Sequence, residues 1–138
     1  MLFDTGPGYK KDDGRARWNK LADSMAVAYE KKGLAAAGVS AEVSIAQHRS
    51  AQGLAHAARG MLAQQDGHVI ESLPAIAVPT LVLVGETDVQ FRPSADYMAA
   101  KIPGAEKVIL ERAGHAANID QPAAFNVAVR AFLDRVTE

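Results

Sequence analysis

Asp88 and His115, each placed just after an apolar run, are the residues best suited to chemistry. Asp88 closes Leu81-Val82-Leu83-Val84-Gly85-Glu86-Thr87-Asp88, and His115 follows Lys107-Val108-Ile109-Leu110 and Gly114. A carboxylate beside an imidazole holds the ring in one tautomer, and the ring can then take a proton from a nucleophile. Such a pair is the orienting half of a nucleophile–His–acid triad. Taken singly, an Asp behind a strand is a turn former or helix cap, and a loop histidine is a surface residue. The chemical reading depends on the two arriving together.

The elements around them give the reason to expect that. Leu81 to Val84 is too short for a helix core and is bounded by Pro79 and Gly85, the pattern of a strand buried on both faces of a parallel sheet. A helix follows, with Pro93 in its first turn and Ala95, Met98, Ala99 and Ile102 on one face, and Pro103-Gly104 ends it. Lys107 to Leu110 makes the next strand. A strand–helix–strand crossover is right-handed with parallel strands, so Asp88 and His115 leave the same sheet edge, where open α/β folds bind their ligands.

The stretch PTLVLVGETD followed by AGHAANIDQPAAF resembles the C-terminal part of an α/β-hydrolase-fold enzyme, in a match that runs over nearly the whole chain and is strongest from Leu73 to Val136. The chain order of that family is nucleophile, acid, histidine. The resemblance implies an α/β class, a partial α/β-hydrolase fold with a parallel strand–helix–strand unit and a helical cap block. It places Asp88 and His115 at catalytic positions, with Asp4 as the rival acid because some members carry theirs after the preceding strand. It implies a small-molecule substrate of ester, lactone or related carbonyl type and no cofactor. Dehalogenase, haloperoxidase-like and carbon–carbon hydrolase activities share the scaffold.

The nucleophile elbow G-x-S-x-G is absent. Ser24, Ser40, Ser44, Ser50, Ser72 and Ser94 all lack glycine at one or both flanking offsets, and there is no cysteine. In the family both the elbow and the oxyanion loop precede the portion matched here. A complete member of about 200–250 residues is much longer than these 138. The chain is therefore expected to be a fragment, or a gene begun at an internal methionine, and to be inactive alone. A sheet edge left open by missing strands would favour self-association.

Within that frame residues 1–8 read as a strand end and exit loop, 9–73 as a helical cap, and 74–138 as the C-terminal part of the core. Asp12 and Asp13 are N-cap candidates for a helix to about Ala37, with Trp18, Leu21, Met25 and Ala28 or Tyr29 as its apolar stripe. Ala41 to Ala46 is a short segment of uncertain type. Ser50 can cap a helix to about Gln65 carrying Leu54, Ala57 or Ala58, Met61 and Leu62, and His68 to Leu73 forms a third, short helix. Trp18, Met25, Tyr29 and Met61 are candidates to line a substrate pocket, or equally to pack helix on helix. Asp120 is the expected N-cap of a last helix with Pro122 in its first turn and Phe125, Val129, Phe132, Leu133 and Val136 facing the core.

Composition narrows the partners. Fifteen basic against sixteen acidic residues leave a net charge of −1, which gives no electrostatic pull toward nucleic acid or anionic membrane. Without cysteine there are no disulfides or thiolate metal sites, which fits a cytoplasmic protein, and no apolar run approaches a membrane span. His48, His56 and His68 lack metal-ligand spacing and read as exposed polar residues. A free-standing helical binding module is disfavoured because Gly53 and Gly60 interrupt the cap helices.

Overall fold

The computed structural model describes residues 1–38, 43 and 45–137. They form two compact units, Met1–Pro7 with Ser72–Glu138, and Gly8–Glu71.

The first unit is built on three parallel strands in the order β1 (Leu2–Phe3), β2 (Leu81–Gly85) and β3 (Glu106–Leu110). Strand β2 is central. Its five residues are all buried, as expected of a strand covered on both faces. Leu81 and Leu83 point to one face, where they join Leu110, Ala113, Ala117 and Phe132 in a cluster flanked by Phe3, Val108, Phe125 and Val129. Phe3 and Phe125 meet edge to face at 5.3 Å. Helix α4 (Arg92–Lys101), with Pro93 in its first turn, buries Ala95 and Met98 and packs against β2 and β3. Ile102, just past its end, is also buried. Beyond β3 come the short α5 (Ala117–Asp120) and the longer α6 (Pro122–Thr137).

Two expectations for this end of the chain need correction. Asp120 does not cap α6; it closes α5, and its carboxylate accepts the Gly114 N–H at 2.7 Å. Along α6, Phe132 is buried and Phe125 and Val129 half-buried, but Leu133 and Val136 are 50% and 39% exposed. A sheet of three strands is too narrow to cover the full apolar arc of the helix.

The second unit is a helix pair, α1 (Asp12–Lys32) and α2 (Ala51–Met61), with a 3-10 turn at Gly33–Ala37 and a short α3 (His68–Ser72) whose last residue belongs to the first unit. The N-cap of α1 is Lys11, and Asp12 and Asp13 lie in the first turn, where acids favour the positive end of the helix dipole. Ser50 caps α2 as expected, its hydroxyl accepting the Gly53 N–H at 3.0 Å. The contact between the helices is made by Ala26, Ala55 and Ala58, with Tyr29 and Leu62 packed against them. The buried stripe of α1 therefore runs through Ala22 and Ala26, one position from the expected one, and Leu21 and Met25 are exposed. Alanines allow close approach of the two backbones, which larger side chains would prevent. The segment expected at 41–46 lies outside the described residues except for Val43, Ile45 and Ala46.

Candidate active site

β2 and β3 run parallel in the register Leu81↔Glu106 through Gly85↔Leu110, so both chains leave the sheet at the same level. The turn after β2 then grips the loop after β3. Glu86 N–H donates to Leu110 O and Thr87 N–H to Ala113 O, both at 2.9 Å, and the Thr87 hydroxyl donates to Ala113 O at 2.8 Å. Arg112 sits in the left-handed region, with φ of 57°, and its N–H donates to the Glu86 carboxylate at 2.9 Å. Gly85 is required by this closeness. A Cβ there would fall 2.1 Å from Gly114 O and 2.4 Å from Ala113 O.

The clamped loop carries His115 to Asp88. Nδ1 of the imidazole lies 2.8 Å from Asp88 Oδ2. An ionised carboxylate can only accept, so Nδ1 carries the proton and base chemistry falls to Nε2. The acid is buried, with its side chain 6% exposed, and that of His115 is 43% exposed. Asp88 also begins the next helix: its Oδ1 accepts the Phe91 N–H at 3.2 Å, and its carbonyl accepts the N–H groups of Phe91 and Arg92. Chemically the arrangement is a hydrogen-bonded acid–imidazole pair with the acid inside and the base open.

The pairing expected from the sequence is thus present in the geometry. Asp4, the rival acid, sits at the end of β1 with φ of 51°, and the carboxylate that meets His115 is that of Asp88. Glu86 bonds locally, as expected. Of the pocket candidates, Trp18 donates its indole N–H to Leu62 O at 2.6 Å and Tyr29 packs on the alanine cluster, so both serve the helix pair. Met25 and Met61 are exposed, Met61 to 83%. His48, His56 and His68 are exposed. Among the described residues no group of three His, Asp or Glu could hold a metal, and no helix is long and apolar enough to cross a membrane. Sequence reasoning missed Gly85, Thr87 and Phe91. Only Gly85 carried a visible signal, a glycine at the last position of a buried strand.

Fold and site together define a partial α/β-hydrolase. Residues 2–128 match the model of the alpha/beta hydrolase family, and the chain belongs to that family. Among solved structures it is similar to MenH from S. aureus (22% identity, TM-score 0.84, covering 99% of this chain and 59% of that one). It is similar too to a thermophilic esterase from Thermogutta terrifontis (25%, TM-score 0.79, covering 98% and 55%). The enol-lactonase from Burkholderia xenovorans LB400 also matches (26%, TM-score 0.59, covering 87% and 48%). Protein ABHD14A of Rattus norvegicus is 36% identical over 66 residues, which are 48% of this chain and 27% of that protein. The chain thus spans 48% to 59% of the length of these solved structures, and its match to the rat protein covers about a quarter of that sequence.

Proposed function

We propose that this chain carries the acid and the base of a nucleophile–His–acid hydrolase acting on small esters, lactones or related carbonyl compounds. The observation that supports this best is the Asp88–His115 pair, 2.8 Å apart with a buried acid and an open imidazole. Nε2 would take the nucleophile's proton as it attacks the carbonyl, Asp88 would stabilise the imidazolium, and Nε2 would return the proton to the leaving alkoxide. The nucleophile would come from polypeptide outside these 138 residues, because no serine here sits in a G-x-S-x-G elbow. Resemblance to an esterase and an enol-lactonase supports the substrate class. The helical unit Gly8–Glu71 would correspond, by its place in the chain order, to the cap of the family.

A second reading follows from the same absence. The 138 residues alone would be catalytically silent, as a truncated form or as half of an assembly that awaits a nucleophile-bearing part. The test begins with the coding frame upstream of the Met1 codon. The longest open product is expressed and assayed on a panel of short-chain esters and lactones. His115→Ala is expected to lower kcat by about 10⁴–10⁶ and Asp88→Asn by about 10⁴, with KM little changed. Hydrolysis that survives His115→Ala undiminished would sink the assignment.

A further inference from the structure

Phe91 holds both members of the pair, each by a different group. Its backbone N–H donates to Asp88 Oδ1 at 3.2 Å, while Oδ2 of the same carboxylate meets the imidazole. Its ring is stacked on that imidazole, with centroids 4.6 Å apart and planes inclined by 29°. The exit of β1 passes close to the ring: a Cβ at Gly6 would lie 3.7 Å from Phe91 Cδ1 and 3.1 Å from Ser94 Oγ.

A hydrogen bond at Nδ1 fixes one atom of the imidazole but leaves its plane free to rock about that bond. The His115 side chain is 43% exposed. A face-on aromatic contact supplies the missing restraint, and the negative face of the phenyl ring favours the imidazolium that forms when Nε2 accepts a proton. Resting on the reading of Asp88 and His115 as acid and base, we propose that Phe91 is a positioning residue that sets the imidazole plane and keeps Nε2 aimed outward. The residue acts through His115 and needs no contact with substrate.

Proton and nitrogen NMR of the 138-residue chain, labelled with ¹⁵N in the histidine rings, tests this directly. His48 and His68 are exposed and serve as internal references; His56 does not, because its Nε2 lies 2.7 Å from the Gln52 amide nitrogen, a donor. At a pH where these two are neutral, His115 is expected as a single Nδ1–H tautomer, its ring C–H protons displaced upfield by Phe91. Phe91→Leu keeps the backbone donor and most of the apolar bulk. It should abolish the upfield displacement and move the ring nitrogens toward the mixed tautomers of the reference histidines, and Phe91→Tyr should restore both. If Phe91→Leu removes the displacement and leaves the tautomer intact, the ring is a neighbour only and the proposal fails. The proposal also fails if neither signal moves. Asp88→Ala separates the two levels: it must collapse the Nδ1–H tautomer, and if it does not, the acid–base reading fails independently of Phe91.

Discussion

Asp88 gives its two carboxylate oxygens to different partners, Oδ2 to the His115 imidazole and Oδ1 to the N–H of Phe91, the N-cap residue of α4. A carboxylate held at both oxygens cannot rotate, so the direction from Asp88 to Nδ1 is set by the start of a helix. The position of His115 is set as firmly by a residue with no side chain. Gly85 lets the end of β2 lie against Ala113 and Gly114, where any Cβ would meet a carbonyl oxygen at 2.1 Å. Gly85→Ala must push the histidine loop away. It is expected to cost about 1–3 kcal/mol, the range for overpacking, as a lowered urea midpoint. The ring-¹⁵N spectrum should report loss of the Nδ1–H tautomer in the same variant. A stable Gly85→Ala protein with its Asp88–His115 bond intact would show that the loop has slack that its hydrogen bonds do not suggest.

At the scale of elements, the two units depend on different packing. In the first, β2 is buried along its whole length, and Leu81 and Leu83 pack with large side chains such as Leu110 and Phe132. In the second, α1 and α2 meet through Ala26, Ala55 and Ala58. Ala55→Leu would force the helices apart and should destabilise the pair by about 1–3 kcal/mol, read as a lower midpoint in helical circular dichroism against urea. An unchanged midpoint would mean the contact is looser than the buried alanines indicate. The same contrast explains what could be read in the chain beforehand. The strand–helix–strand unit was legible because continuous apolar runs and Pro–Gly breaks name a buried strand and its ends, and the parallel crossover then brings Asp88 and His115 together. The helix pair was less so: a stripe drawn through the largest apolar residues passed through Leu21 and Met25, and the contact is made by alanines, whose hydrophobicity is too small to mark a face. Asp120 was misread for a related reason. An Asp ahead of a proline looks like a helix cap, and only the loop geometry shows that its carboxylate reaches back to Gly114. Phe91 gave no local sign, since an aromatic at a helix start reads as core.

At the scale of the molecule, the chain is a member of the alpha/beta hydrolase family that covers 59% of MenH and 55% of the Thermogutta esterase. Its three-stranded sheet places an acid and a histidine at one edge, and no elbow serine accompanies them. Under the proposed function, this pair is two thirds of a catalytic device whose nucleophile lies outside these residues. Covalent capture by a fluorophosphonate, located by mass spectrometry, tests that most directly, on the 138-residue chain and on the longest product of its upstream reading frame. The prediction is no labelled serine in the 138 residues, and one labelled residue in the extended product whose rate of labelling falls by at least about 10³ in His115→Ala, the loss expected when the general base is removed. Labelling of one of the chain's own serines that depends on His115, or labelling of the extended product that ignores His115, would contradict it.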